Sequence, residues 1–370
     1  MTSSNLQSPS SARNYGVDLL RLFAMFSIVL LHVIGQGGST GHQAFASPAY
    51  FGFYTLRFLN EYAMNAFGMI TGYVLVQSHL KISRLLSLWA EVLFYSIGIS
   101  LLFILKDRSV VPILRDEFYT MIFPITSRRY WYISSYFCLC LFIPLINAGL
   151  EKLSLKETRN MLIGLFLLIC VFGSLNIRRN DPFRMDYGFS TAWLGVLYLF
   201  GAACRKYDLP HKIHPFICCL GIVICILGTL FFKYMMDLHS WQLKYTLEWM
   251  MMSNVSITYT LCAFFMLNLF AQLKPGINLQ KVISFLAPAA LGVYLIHTHT
   301  MIWENLITDC SSGFADDPFP IFIIKTLGLS LSIFAICIAI DLIRIRLFQI
   351  LRITHLCNRL GQHFATLLSK

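Results

Sequence analysis

The feature that most constrains this chain is a succession of apolar runs, each near the length that crosses a bilayer. Ten are read, at about 17–34, 54–77, 85–105, 130–150, 160–177, 189–204, 214–232, 250–270, 283–306 and 320–341. A helix rises ~1.5 Å per residue, so ~20 apolar residues cross the ~30 Å hydrocarbon layer. Composition agrees: 57% of residues are hydrophobic and only 13% charged, where a soluble domain carries about a quarter charged. The expected fold is an all-α integral membrane protein, a bundle of about ten transmembrane helices. The sixth run is the shortest and sits at the lower limit for a span.

The domain reading follows from the same runs. Residues 1–14 are Ser, Asn, Gln and Pro with one Arg, and lack the basic start and cleavage site of a signal peptide. They are expected to be a disordered cytoplasmic tail, with the first apolar helix retained. Residues 15–343 form the transmembrane domain and 344–370 a basic C-terminal tail. That tail intersperses Arg344, Arg346, Arg352 and Arg359 with apolar residues, as a positive-inside anchor or an interfacial helix does. An even number of spans puts both termini on one side. With that side cytoplasmic, the inner loops and tails hold sixteen Lys and Arg against twelve outside. The loop 308–319, with Asp309, Asp316 and Asp317 and no Lys or Arg, supports the same orientation in a cell inner membrane.

The net charge of +11 speaks to orientation and to anionic lipid. No nucleic-acid partner is expected, because no RNA- or DNA-binding motif is present. Eleven Cys include no C-x-x-C pair, and most lie in apolar runs as small hydrophobes. Neither a disulfide framework nor a metal site is read.

The first run, YGVDLLRLFAMFSIVLLHV, carries Asp18, Arg21 and His32 in otherwise apolar sequence. Ionisable groups in hydrocarbon are expensive, so each is a candidate functional residue. Arg21 and His32 are separated by about 20° around a helix and ~16 Å along it, with Asp18 within about 60° of both. One polar stripe therefore crosses the layer. Asp18 and Arg21, at i,i+3, are also placed to pair with each other.

Further candidates follow from the same logic. In LGVYLIHTHTMIWENLI, Tyr294, His297 and Glu304 share one face of a continuous helix to within about 60°. His299 faces elsewhere, so His297 and His299 make no helical zinc pair. Arg57, Glu61 and Asn65 recur at i,i+4 on another run. Arg128, Arg129, Tyr130, Trp131 and Tyr132 open the fourth run, where an aromatic belt with basic anchors accounts for Tyr130. Lys81-Ile-Ser-Arg84, next to Gly72, is either a topology signal or a site for a phosphate-bearing donor. Such a polar line suits a proton or ion path, and it equally suits an enzyme fed with donor from one side and acceptor from the other. No internal repeat of the transporter kind is read, which lowers a transporter or flippase reading without removing it.

Five blocks carry a resemblance. Arg21 to His32, with ten residues between, resembles the first-helix signature of the family-3 membrane acyltransferases. FGMITGY at 67–73, YWYISSYFCLCLFIPLIN at 130–147, LYLFGAACRKY at 197–207 and GVYLIHTH at 292–299 are similar to later blocks of that family, in order. The resemblance implies an O-acetyltransferase that moves acetyl from acetyl-CoA, a co-substrate, to a hydroxyl of a surface glycan or a lipid-linked oligosaccharide. It implies His32 as the catalytic residue, either general base or transient acetyl carrier, with Arg21 essential and Lys81 to Arg84 binding the donor, to which Arg21 and Thr71 are also assigned. Thr71 stands where the family has Ser, and Lys81 where it has Arg, which keeps charge but loses bidentate phosphate contact. No hydrolase-like domain is appended, so handover is expected within the bundle. Asp18 is expected to orient Arg21. His297 and Glu304 are expected to serve the proton or the acceptor. Asn65, Arg57, Glu61, Arg128, Trp131 and Tyr132 are assigned to the acceptor.

Overall fold

The structure is a computed structural model describing residues 13–40, 43–78, 81–106, 114–175, 181–239 and 252–368. All but the last two residues of the expected N-terminal tail therefore lie outside the described residues. Among the described residues every regular element is helical. In order they are α1 (Tyr15–Gly35), α2 (Pro48–Phe58), α3 (Ala63–Leu75), α4 (Ile82–Lys106), α5 (Leu114–Ile122), α6 (Trp131–Lys152), α7 (Leu155–Leu165) and α8 (Thr191–Lys206). The longer later helices are Pro215–His239, Ile257–Ala271, Ile277–Leu286, Ala290–His297, Phe319–Ile350 and Ile353–Leu368.

Six helical segments are long and apolar enough to span a membrane: Tyr15–Gly35, Ile82–Lys106, Trp131–Lys152, Pro215–His239, Ile277–His297 and Phe319–Ile350. The chain is thus a multi-pass helical membrane protein. The other four expected runs take shorter forms. Run 54–77 is split between α2 and α3. Run 160–177 passes from α7 into a π-helical stretch, Phe166–Phe172. Runs 189–204 and 250–270 become α8 and Ile257–Ala271, both under 18 residues.

The split in run 54–77 has a local cause. Asn60 donates from Nδ2 to Leu56 O at 2.7 Å, and its Oδ1 accepts from Ser27 Oγ on α1 at 2.6 Å. An amide that binds its own backbone offers the chain an alternative to the helix ladder. Ser47 caps the start of α2 by accepting from Tyr50 N at 3.1 Å, with Pro48 in the first turn, where its missing N–H costs nothing. The same Ser cap opens α8, from Ser190 to Trp193 N at 3.1 Å, and Ser154 with Glu157 forms a capping box at α7.

Run 283–306 is also interrupted, contrary to the continuous helix read from its pattern. Ala287–Ala289 is a 3₁₀ turn around Pro288, which has no N–H to give the ladder. The helix then stops after His297, and His299 starts a new turn by accepting from Met301 N on Nδ1 at 3.2 Å.

The first span is the centre of the bundle. Of its most apolar window 61% is buried, against 28% for Ile82–Lys106, Pro215–His239 and Phe319–Ile350. Those outer helices expose Leu102, Leu105, Ile224, Phe231, Ile324 and Ile336, an apolar surface that lipid, not water, accommodates.

The seam between α3 and α8 positions the site. Gly72 lies so close to α8 that a Cβ there would meet Tyr198 O at 2.0 Å, and a Cβ on Gly201 would meet Met69 O at 1.8 Å. Small residues let two backbones approach in hydrocarbon, where no hydrophobic drive between helices exists. This explains the glycines of FGMITGY and LYLFGAACRKY. Asn147, in the Pro-Leu-x-Asn end of α6, ties the seam shut. It donates to Leu75 O at 3.1 Å and accepts from Tyr198 Oη at 2.7 Å.

Candidate functional site

A cavity of about 590 Å³ runs beside α1, enclosed mainly by α1, α3, α4 and α6. Ser78 and Arg84 line one end. Arg21, Thr71, Tyr132 and Tyr136 line it further along, His32 and Gly35 beyond them, and Arg57, Glu61, Trp131, Phe189 and Asn254 also border it. Most of the remaining wall is apolar, including Met25, Ile28, Leu31, Ile133 and Leu291.

The structure places nine of the sequence candidates on this one cavity: Arg21, His32, Arg57, Glu61, Thr71, Arg84, Trp131, Tyr132 and Tyr294. Asp18 stands behind Arg21. Its Oδ1 accepts from Arg21 Nη1 at 2.6 Å and its Oδ2 from Arg13 Nε at 2.5 Å. The i,i+3 pair therefore forms, with Arg13 added to it. Lys81 is exposed next to the start of α4 and does not line the cavity, whereas Arg84, one turn on, does.

His32 gains a partner that fixes its chemistry. His297 is buried, and its Nδ1 lies 2.6 Å from Val293 O. A carbonyl only accepts, so His297 Nδ1 carries the proton. The partners of this pair are a second imidazole and a carbonyl, not a carboxylate, so two neutral rings suit the apolar setting. Bare His297 Nε2 then accepts from His32 Nδ1–H at 2.9 Å. His32, which borders the cavity while His297 does not, is left with an unprotonated Nε2. Trp303 packs edge-to-face on the His32 ring at 4.8 Å between centroids.

Other candidates fall elsewhere. Glu304 is exposed and off the cavity. Its expected alignment with His297 fails because the helix ends at His297 and Glu304 sits in a separate π-turn, Trp303–Ile307. Arg57 and Glu61 do pair, at 3.0 Å, across the break after α2. Asn65 is fully buried away from the cavity with its amide committed: Oδ1 accepts from Trp193 Nε1 at 3.0 Å and Nδ2 donates to Asn254 O at 2.7 Å. Asn65→Ala is therefore expected to lower the thermal midpoint in detergent, costing about 1–3 kcal/mol for the orphaned indole N–H. Donor affinity, measured on the same sample, is expected to hold.

Arg128 turns outward onto Asp186 at 3.3 Å, both groups more than half exposed. Its neighbour Arg129 is the buried one, paired with Glu117 and donating to Ser96 Oγ at 3.2 Å. The pattern of the belt could not say which arginine points inward, because Arg128 takes a positive φ of 57° and turns the chain.

Several lining residues were not singled out. Tyr136 sits four residues after Tyr132, and their rings stack at 6.3 Å and 12°; the i,i+4 aromatic spacing was the available signal. Phe189 meets Trp131 edge-to-face at 4.7 Å. Phe189 and Asn254 lie outside the regular helices and carried no periodic signal. Among the described residues no group of three or more His, Cys, Asp or Glu is placed to hold a metal.

A helical bundle in lipid, with an unprotonated imidazole nitrogen on a cavity that also holds arginines, defines an enzyme-like membrane protein. The family model described as acyltransferase domain matches residues 14–342, and the chain belongs to that family, acyltransferase family 3. The protein is thus a membrane acyltransferase. No curated relative and no solved structure matches the chain.

Proposed function

We propose that this protein transfers acetyl from acetyl-CoA to a hydroxyl of a surface glycan or its lipid-linked precursor, using His32 as general base. The observation that carries the reading is the His32–His297 pair, which leaves His32 Nε2 free on a cavity bordered by cationic groups. The acetyl-CoA phosphates meet Arg84, with Lys81 beside it, at the cytoplasmic mouth. The thin pantetheine arm passes Arg21 and brings the thioester to His32. The acceptor comes from the other end, with Trp131, Phe189, Arg57 and Glu61 around it.

His32 Nε2 takes the proton of the sugar hydroxyl as its oxygen attacks the thioester carbonyl carbon. The tetrahedral intermediate collapses with loss of the CoA thiolate, which takes the proton back from His32. The products are the sugar ester and CoA thiol, and the base is restored. Arg13 and Arg21 on either side of Asp18 keep the stripe charged yet paired. Both termini are cytoplasmic in this reading, the membrane is the inner one, and the shorter helices complete a bundle of about ten spans.

The direct test uses purified protein in nanodiscs with labelled acetyl-CoA and candidate glycans. Alkali-labile label on the sugar supports the reading. Label that never reaches sugar, while the protein moves that glycan across a vesicle wall, overturns it in favour of a flippase. Arg84→Gln is expected to raise the KM for acetyl-CoA about tenfold with kcat little changed, since a lost charge-assisted phosphate contact weakens ground and transition states alike. Initial rates over a donor series check this.

A further inference from the structure

The C-terminal helix Ile353–Leu368 presents three faces. Leu356, Leu360, Phe364 and Leu367 fall within about 80° of one another, and they are 53%, 42%, 46% and 53% exposed. Cys357 and Gly361 face the bundle. A Cβ built on Gly361 would meet Ser83 N at 2.6 Å, so this helix rests directly on the backbone at the start of α4. His355, Arg359, Gln362 and His363 occupy the remaining, polar side and are exposed.

Four large apolar side chains in a row are not left to water by a helix this short. The row continues the apolar surface at the end of the preceding span, where Ile343, Leu347, Ile350 and Leu351 are exposed. Between the two lies Arg352, whose positive φ of 55° ends one helix and redirects the chain. Arg346, Arg352 and Arg359 are at the same end of the molecule. A stripe that is continuous with a lipid-facing surface and edged by cations fits the headgroup layer of an anionic bilayer.

The seat of this helix bears on the cavity. Ser83 immediately precedes Arg84, and Leu85 and Leu88 of the same helix line the wall. A second tie holds α4 to the span Phe319–Ile350: Arg344 donates to Glu91 at 2.9 Å, and Tyr95 of α4 donates to Asp341 at 2.7 Å.

We propose that the C-terminal helix binds anionic lipid headgroups and, through Gly361 on Ser83, holds the end of α4 that carries Arg84, so that lipid composition sets donor affinity. The coupling to donor rests on the acyl-transfer reading above; the lipid contact does not.

Hydrogen–deuterium exchange of residues 353–368 in nanodiscs is the first measurement, with phosphatidylcholine alone or mixed with phosphatidylglycerol. Slower exchange in the anionic discs is expected, and its loss in the Leu360→Asp/Phe364→Asp variant. Equal exchange in the two lipids overturns the proposal without any variant. The second measurement is equilibrium binding of acetyl-CoA in the same discs. Affinity about fivefold weaker is expected in neutral discs, and for Gly361→Leu in anionic discs, as the loss of about one cation–headgroup contact would give. Lipid-dependent exchange with unchanged donor binding overturns the coupling. A doubled particle mass that buries the stripe overturns the lipid contact. Failure of acyl transfer itself would leave the exchange result standing, so the two readings fail separately.

Discussion

His32→Ala is expected to slow acyl transfer by about 10²–10⁴-fold for the removed base, while the protein still inserts and folds. Among the described residues the His32 ring bonds His297, which is buried, so its removal orphans one imidazole nitrogen and is expected to cost about 1–3 kcal/mol of stability. His297→Ala is the informative companion. It leaves the base in place but frees its tautomer and ring, and loss of an orienting partner typically costs about 10–100-fold. Labelled acetyl transfer to glycan measures both. A folded His32→Ala protein that transfers at the wild-type rate would sink the mechanism. A His297→Ala protein as inactive as His32→Ala would mean that the two rings act as one unit.

The largest structural effect is expected at the α3–α8 seam. Gly201→Val and Gly72→Val each force a side chain onto a carbonyl oxygen at 1.8 and 2.0 Å. Neither neighbour is a flexible side-chain end, so the helices must separate. We expect the upper end of overpacking costs, about 3 kcal/mol or more, seen as aggregated or low-melting protein. Gly98→Ala in α4 and Gly149→Ala in α6 are the controls. Nothing lies within 4 Å of a Cβ at either position, so both should be neutral or stabilising by up to about 1 kcal/mol. Equal melting of Gly201→Val and Gly98→Ala protein would contradict the seam.

The helical membrane character and the site stripe were legible because they depend on length, apolarity and 3.6-residue spacing along single segments. Asp18, Arg21 and His32 lie on an uninterrupted helix, so their phases hold. Glu304 and Asn65 were misplaced for the opposite reason. Each was referred to a helix that breaks first, at His299 and Asn60, where side chains bind nearby backbone N–H or C=O groups. Such breaks leave no mark in hydrophobic periodicity. Phe189 and Asn254 reach the cavity from outside the regular helices, and only tertiary packing brings them there. The His32–His297 contact joins positions 265 apart in sequence. Each imidazole was visible alone, but their tautomers follow only from Val293 O and the distance between the rings.

The apolar share of the cavity wall has a further consequence. On the acyl-transfer reading proposed above, an enzyme that admits a thioester from one compartment and a sugar from the other stands across an ion gradient. Met25, Ile28, Leu31, Ile133 and Leu291 border the passage, and apolar walls give water few partners, which interrupts the wires along which protons hop. On that reading the resting protein is expected to be electrically silent, which lets the cell keep its proton-motive force with the His32 imidazole within reach of both sides.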